Sequence, residues 1–246
     1  MNAAYGTFTW AYEQALGRPF FKAVRELLDW SLESDPPSGE RTHLDLACGS
    51  GLAMGYFRKR KFSSVGIDVS LPMLTLARRH GKVAAFDMRR LALRRTFTHV
   101  TCLYDSLNHL MHRRELVATF EGVRSVMTSD SRFLFDMNHP QAYPAIWGAT
   151  QPFVSSGKDY HLSMATSFSP SRKIGRAILT GWARRGGKKV PIDETHEQRS
   201  YSEREIVRSL RESGLRPLEM LTFDPFDPDG IFAGGGVKFF FVAAKA

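Results

Sequence analysis

His43-Leu-Asp-Leu-Ala-Cys-Gly-Ser-Gly51 is the stretch that decides the fold, because it has the pattern of a buried strand running into a glycine-rich turn. We expect the strand over Thr42–Ala47, the turn over Gly49–Gly51 and a helix over Leu52–Arg60. Glycines let the backbone approach a bound ligand closely and adopt positive φ angles. An acid within a buried strand is costly unless it has a role, which singles out Asp45. The stretch therefore predicts a ligand-binding turn between a strand and a helix.

Strands and helices alternate on both sides of this turn. Apolar residues recur at helical spacing within Gly6–Glu33, and prolines 36 and 37 are expected to end that helix. The other elements that the patterns predict are strands at Ser64–Val69, Lys82–Phe86, His99–Tyr104, Arg132–Met137, Arg216–Phe223 and Val237–Ala244, and helices at Pro72–Arg79 and Arg113–Met127. This rhythm predicts an α/β fold with right-handed βαβ units and a doubly wound, mostly parallel sheet.

Residues 139–201 break the rhythm with alternating polar and apolar stretches, such as Tyr160–Ala165 and Ile174–Ala183. We expect two to four antiparallel strands here, inserted after the fifth strand over the active-site side, as a lid or a homodimer interface. Ser202 and Glu205 form a capping box for the helix that follows. The predicted division of the chain is 1–138 for the N-terminal helices and cofactor-binding core, 139–201 for the insertion, and 202–246 for the final helix and strands.

Composition limits the class of protein. The chain has 246 residues, and 43% of them are apolar, enough for a core domain with an insertion. Met1–Trp10 lacks the pattern of a signal peptide, and no apolar run reaches the roughly 20 residues of a membrane span. Cys48 and Cys102 have no metal-ligand spacing, so we expect no metal site and a cytoplasmic location. The net charge of +9 comes from short basic clusters that we interpret as solvated loops and helix ends.

Acidic residues follow the first strands at the edge where such sheets bind ligands. That edge should bring together Ala47–Gly51, Asp68, Asp87 and Tyr104–His109. Asp68 lies 19 residues beyond Gly49, a suitable place for an acid that accepts the ribose hydroxyls of a nucleoside. A triphosphate is disfavoured because the basic residue of a phosphate loop is absent, and nicotinamide cofactors normally require Gly-x-Gly-x-x-Gly, which this loop lacks.

At these positions the sequence resembles class I S-adenosylmethionine-dependent methyltransferases, well over Thr42–Asn138 and more loosely at the final helix and strands. The resemblance implies a Rossmann-like methyltransferase fold of seven strands, with S-adenosylmethionine as cofactor. It implies that Leu44–Gly51 wraps the methionine part, that Asp68 binds the ribose, and that Asp87 and Met88 contact adenine by side chain and backbone N–H. The full implied cofactor-binding set is Asp45, Ala47, Gly49, Gly51, Asp68, Met73, Asp87, Met88, Tyr104, Asp105 and Ser106.

Tyr104–His109 leaves the fourth strand, where the transferable methyl group would lie. An amine acceptor must be neutral to react, and His109 is the best-placed base, unless it only binds backbone at a helix start. Asp105–Leu110 resembles the Ser-Ser-x-Gly-His-Leu segment of sugar N-methyltransferases, in which the histidine faces the acceptor amine. Tyr12 matches their N-terminal active-site tyrosine, and its helical spacing with Tyr5 and Phe8 fits either a lid or core packing. The resemblance thus implies His109 and Tyr12 as catalytic residues.

Other acceptors stay open at this point. The segment after the fourth strand is Asp-Ser-Leu-Asn, without the Pro-Pro or Pro-Cys typical of nucleic-acid base methyltransferases. Asp136 and His139 could line the acceptor pocket, and His196–Arg199 is interpreted as a salt-linked sheet edge rather than a substrate contact. We expect methylation of a small molecule, more on nitrogen than on oxygen. The alternatives are an RNA or protein methyltransferase and a cofactor-binding protein without catalysis.

Overall fold

A seven-stranded sheet forms the centre of the molecule in the computed structural model, which describes residues 5–34, 40–227 and 236–246. The strand order is β10-β11-β5-β4-β1-β2-β3. The strands are β1 (Thr42–Leu46), β2 (Ser63–Asp68), β3 (Lys82–Ala85), β4 (Phe97–Cys102), β5 (Met127–Asn138), β10 (Leu215–Phe223) and β11 (Lys238–Lys245). Strands β1 to β5 pair in parallel, whereas β10 and β11 are antiparallel. The predicted doubly wound, mostly parallel sheet is confirmed.

Helices cover both faces of this sheet. They are α1 (Thr9–Tyr12), which continues through a π-helical turn (Glu13–Gly17) into α2 (Arg18–Ser34), then α3 (Leu52–Lys59), α4 (Leu71–Ala77), α5 (Arg113–Ser125) and α6 (Glu203–Glu212). One apolar core packs against α5 and α6, and a second packs against α2 and α3. Within the three described ranges, none of the helices has the length and apolarity needed to cross a bilayer.

Strand β5 divides the two cores by simple alternation. Phe133, Phe135 and Met137 belong to the core under α5 and α6, whereas Leu134 belongs to the core under α2. The strand begins at Met127, earlier than the predicted Arg132. The cause is a register shift opposite Phe97 in β4. Such a bulge leaves no pattern in the sequence. Prolines 36 and 37, and most of the loop before β11, lie outside the described residues.

The insertion after β5 forms a second, antiparallel sheet, as predicted. Its strands, in spatial order, are β6 (Phe153–Gly157), β7 (Tyr160–Ser169), β8 (Ile174–Arg185) and β9 (Lys188–Arg199). Buried apolar residues of this sheet, including Leu162 and Leu179, pack with Phe8 and Ala11 of the N-terminal segment. The N-terminal helix and the inserted sheet therefore support each other beside the carboxyl edge of the main sheet.

Candidate active site

A cavity of about 800 Å³ lies at the carboxyl ends of β1, β2 and β4, where the strand order reverses. This volume is in the range of small-molecule sites, and the position is the one where doubly wound sheets bind ligands. The predicted site residues that line the cavity are Tyr12, Asp45, Ala47, Gly49, Asp68, Met73, Met88, Tyr104, Ser106 and His109. Gly51, Asp87 and Asp105 were predicted with them but do not line it.

The glycine-rich turn owes its shape to left-handed backbone angles. Ala47 and Gly49 have φ angles of 50° and 53°. A Cβ added at Gly49 would have no heavy atom within 4 Å, so this glycine leaves open space on the cavity side. Gly51 has a φ of 83° and acts differently, because a Cβ there would lie 3.1 Å from Ala77 of α4. The last glycine thus permits helix packing, whereas Gly49 faces the ligand space.

Asp68 joins the loops that follow β1 and β2. Its carboxylate accepts the backbone N–H of Gly49 at 2.9 Å and that of Ser70 at 2.8 Å. Burial raises the pKa of Asp68, and these N–H donors oppose the rise. Each carboxylate oxygen keeps a second lone pair, so Asp68 could still accept hydroxyl groups from a ligand in the cavity. Ser70 caps α4 as predicted, by accepting the N–H of Met73 at 3.3 Å.

Asp45 is an acid buried at the base of the cavity. Its side chain accepts the hydroxyl of Thr101 at 2.6 Å, and burial raises its pKa to about 7. A cationic ligand group beside it would favour the ionised form. Nearby, Ser50 Oγ is buried and lines the cavity, and the described part of the chain gives it no hydrogen-bond partner. An acid and an unpaired hydroxyl fit the amino-acid end of S-adenosylmethionine.

Of the two residues proposed to contact adenine, one lines the cavity and the other does not. Met88 lines the cavity, but the Asp87 carboxylate binds the guanidinium of Arg89 at 2.7 Å and lies outside the cavity wall. The hydrogen bonds from Arg89 hold the pKa of Asp87 below its usual value. Arg89 also contacts Glu115 at 3.1 Å. An arginine two residues after the aspartate was the sequence signal for this pairing.

The turn after β4 is held by buried charges. Tyr104 and Asp105 have φ angles of 63° and 48°, unusual for residues other than glycine. Asp136 accepts both of their backbone N–H groups, at 2.6 Å and 3.0 Å. Lys238 of β11 lies between the carboxylates of Asp105 and Asp136, with 3.0 Å from its Nζ to Asp136. Asp136 is thus part of β5 and supports the turn from behind, rather than following the strand into the acceptor pocket.

Lys238 is the functional residue that sequence reasoning missed. It is 6% exposed, and the ammonium would be expensive to bury without its two carboxylate partners. Burial lowers its pKa, but Asp105 and Asp136 outweigh that effect and raise it. A single lysine at the start of the last strand carries no signal of this role. The sequence singled out Asp105 and Asp136, but it gave no indication that Lys238 pairs with both.

The partners of His109 indicate which of its ring nitrogens carries the proton. Its Nδ1 lies 3.1 Å from the carbonyl oxygen of Glu197, which can only accept, so Nδ1 carries the proton. The lone pair is therefore on Nε2, which lies 3.3 Å from the Tyr5 hydroxyl and 3.3 Å from Gln198 Nε2. Burial lowers the pKa of His109 and favours the neutral ring. His109 both binds backbone, as the simpler interpretation held, and lines the cavity.

The N-terminal stripe and strand β9 close the acceptor side. Tyr5 and Tyr12 line the cavity with ring centroids 5.8 Å apart, whereas Phe8 is buried against the inserted sheet. Two residues of the stripe thus face the cavity, and the third packs in the core. Strand β9 is an edge strand, as expected, and Arg199 pairs with Glu205 at 2.9 Å. His196 of the same strand nevertheless lines the cavity, so this edge also meets the ligand space.

His139 lies away from the cavity wall and packs on Phe239, with ring centroids 4.5 Å apart. Among the residues that the structure describes, no group of three or more histidine, cysteine or acidic side chains could hold a metal ion.

Residues 44–130 match the methyltransferase domain family model. A protein of Geobacillus sp. (strain WCH70), provisionally named as a methyltransferase, is 25% identical over 88% of this chain and 90% of its own length. The dTDP-3-amino-3,6-dideoxy-alpha-D-glucopyranose N,N-dimethyltransferase of Streptomyces fradiae is 37% identical over 44% of this chain and 43% of its own length. Its match covers less than half of either protein.

Solved structures show the same fold over nearly the whole chain. An S-adenosylmethionine-dependent methyltransferase of Clostridium acetobutylicum superposes with a TM-score of 0.79 and 21% identity, covering 99% of this chain and 100% of the other. The sugar N-methyltransferase KedS8 of Streptoalloteichus superposes with a TM-score of 0.74 and 19% identity, covering 96% and 91%. Residues 44–130 therefore match a methyltransferase domain, and the chain as a whole has the fold of these solved structures.

Replacing Lys238 with methionine should destabilise the protein strongly, because two buried carboxylates lose their cation. We expect Lys238→Met to lower the free energy of unfolding by about 3–5 kcal/mol in urea denaturation. Lys245→Met, a matched change at the end of the same strand, should stay within about 0.5 kcal/mol of wild type. A loss below about 1 kcal/mol in Lys238→Met would contradict the role given to the ion cluster.

Cofactor binding should release a proton from Asp45. The raised pKa of about 7 means that the free protein holds this carboxyl group mostly protonated at pH 6. If the α-ammonium of S-adenosylhomocysteine lies beside it, binding should release roughly one proton at pH 6. Calorimetry in buffers of different ionisation enthalpy measures this release. Asp45→Asn should abolish it and Asp130→Asn, an exposed control, should retain it; equal release from both variants would refute the assignment.

Proposed function

We propose that this S-adenosylmethionine-dependent methyltransferase transfers a methyl group to a nitrogen atom of a small molecule. The observation that carries the proposal is the lone pair on Nε2 of His109, whose ring lines the same cavity as the Gly49 turn. An oxygen acceptor would need a stronger base, whereas an ammonium can give its proton to a neutral imidazole. We therefore assign His109 as the general base.

The cofactor side follows from the same cavity. In our proposal Asp45 and Ser50 hold the amino-acid end, Asp68 holds the ribose and Met88 borders the adenine. Bound there, S-adenosylmethionine supplies a methyl group on a sulfonium, which a nucleophile displaces in line. The protein has to align the acceptor and keep its lone pair free, and Tyr5 and Tyr12 would exclude water from that end.

A small acceptor is supported by the size of the cavity, about 800 Å³, which is in the range of small-molecule sites. The N-terminal segment and β9 both contribute to its wall. We propose that the insertion, residues 139–201, serves as the acceptor-side lid. A relative and a structural neighbour of this chain are named for action on amino sugars, which makes an amino sugar the first acceptor to test. Reduced cysteines at 48 and 102 agree with the cytoplasmic location that we propose.

Methyl-label transfer to matched acceptors tests this proposal. A panel of amino sugars, free and nucleotide-linked, is compared with the same sugars carrying a hydroxyl group at the amine position. We expect label on amines only, and a rate about 100-fold lower for His109→Gln, because the base is lost. Cofactor affinity should change by less than about threefold in that variant, since His109 does not bind the cofactor in this account.

Label transfer to the hydroxyl panel alone, or an unchanged rate in His109→Gln, would contradict the proposal. His112→Gln serves as the control, because this histidine lies at the start of α5 and away from the cavity. It should keep the wild-type rate.

A further inference from the structure

The inner face of β9 carries polar side chains where an inserted sheet would ordinarily bury apolar ones. Glu194, His196 and Gln198 alternate inwards along the strand and are 5%, 6% and 4% exposed, whereas the residues between them are more open to solvent. Burying three polar groups in a row is costly unless each one has partners and a use. Gln198 contacts His109, and its side-chain oxygen accepts a hydrogen bond from the amide of Asn138 at 2.7 Å. These partners explain why Gln198 is buried.

Glu194 and His196 form a pair that the account of His109 does not use. His196 Nε2 lies 3.0 Å from one carboxylate oxygen of Glu194, and the other oxygen accepts the N–H of Phe8 at 2.8 Å. Burial raises the pKa of Glu194, but the hydrogen bond from His196 and that from Phe8 outweigh it, so the pKa is lowered overall. An ionised carboxylate only accepts, so Nε2 of His196 carries a proton and the lone pair of the neutral ring is on Nδ1.

This pair lies at the acceptor end of the cavity, beside the first base. The ring centroid of His196 is 4.6 Å from that of Tyr5 and 6.1 Å from that of His109. All three rings and Glu194 line the same cavity. Two imidazoles from different elements therefore lie together in the cavity wall, and their partners leave the lone pairs on Nε2 of His109 and Nδ1 of His196. The two imidazoles differ in their hydrogen-bond partners. The carbonyl of Glu197 orients His109, whereas the carboxylate of Glu194 stabilises a positive charge on His196.

We propose that the Glu194–His196 pair is a second proton acceptor for the methyl acceptor, an inference that rests on the proposed N-methylation. An amine that enters as an ammonium must lose one proton before transfer, and its methylated product carries a further proton. The first proton passes to Nε2 of His109, the general base. The freed nitrogen lone pair then forms the N–C bond while the C–S bond breaks and sulfur keeps its electron pair. The proton left on the methylated nitrogen passes to Nδ1 of His196, whose positive charge Glu194 stabilises.

Sinefungin tests this pair without a known acceptor. It is an analogue of S-adenosylmethionine with an amine-bearing carbon in place of the methyl-bearing sulfur. Its ammonium group therefore probes the position from which the methyl group is transferred. S-adenosylhomocysteine lacks that group and reports cofactor binding alone. Calorimetry at neutral pH gives the affinity of each variant for both ligands, and thermal melting followed by circular dichroism checks folding.

Wild type should bind sinefungin about tenfold more tightly than S-adenosylhomocysteine, because the ammonium faces a carboxylate-backed imidazole. Glu194→Gln keeps the size of the side chain and removes the charge. It should lose about tenfold in sinefungin affinity and stay within about twofold for S-adenosylhomocysteine. Asp159→Asn makes the same charge change at an exposed turn of the inserted sheet and should bind both ligands as wild type does.

Other outcomes separate the alternatives. An equal loss of affinity for both ligands in Glu194→Gln would mean that Glu194 only tethers Phe8. Unchanged sinefungin binding would mean that the pair does not face the acceptor. Either result overturns the proposal while the methyltransferase assignment stands. If Glu194→Gln does not fold, His196→Asn should give the same selective loss. A wild-type protein that binds neither ligand would refute the proposed function itself.

Discussion

Two buried carboxylates hold the cavity in shape by accepting backbone N–H groups from the loops around it. Asp68 binds Gly49 and Ser70, and Asp136 binds Tyr104 and Asp105. The loops need this support because they contain left-handed residues other than glycine, each of which costs about 1–3 kcal/mol. Among the described residues, Tyr104 and Asp105 are consecutive and both left-handed. The ammonium group of Lys238 compensates the negative charges of Asp105 and Asp136 behind the turn after β4.

The two sides of the cavity come from different parts of the chain. In our proposal, the loops after β1 and β2 supply the cofactor side, with the acids Asp45 and Asp68. The acceptor side combines the turn after β4 with the N-terminal segment and β9, which contact each other through Phe8 and Glu194. The proposed division separates a cofactor site from an acceptor site that the insertion completes. Change in the insertion could therefore alter the acceptor without disturbing the cofactor loops.

The main sheet could be predicted from the sequence because its signals are local. Most strands contain a short apolar run, and a glycine or an acid lies at or just after the ends of β1, β2 and β3. Parallel strands necessarily bring their carboxyl ends to one edge. The position of Asp68 at that edge follows from the same rule. The earlier start of β5 could not be predicted, since the register shift depends on its pairing with Phe97.

Contacts made across the fold were harder to predict. The pairing of Asp87 with Arg89 is local and had a visible signal, but the family pattern favoured a cofactor contact instead. Lys238 gains its role only through partners more than a hundred residues away in sequence. Glu194 combines a distant partner, Phe8, with His196 of its own strand. A lysine at the start of a strand and an acid within an edge strand are ordinary in solvent-exposed positions, so no pattern separates them from surface residues.

We propose that Asp68, rather than Asp87, binds the nucleoside part of S-adenosylmethionine at this edge of the sheet. The most direct measurement is the affinity for S-adenosylhomocysteine, by calorimetry, of wild type, Asp68→Asn and Asp87→Asn. We predict that wild type binds, that Asp68→Asn loses at least about tenfold, and that Asp87→Asn stays within about threefold. Absence of binding by wild type, or a larger loss in Asp87→Asn than in Asp68→Asn, would contradict the account.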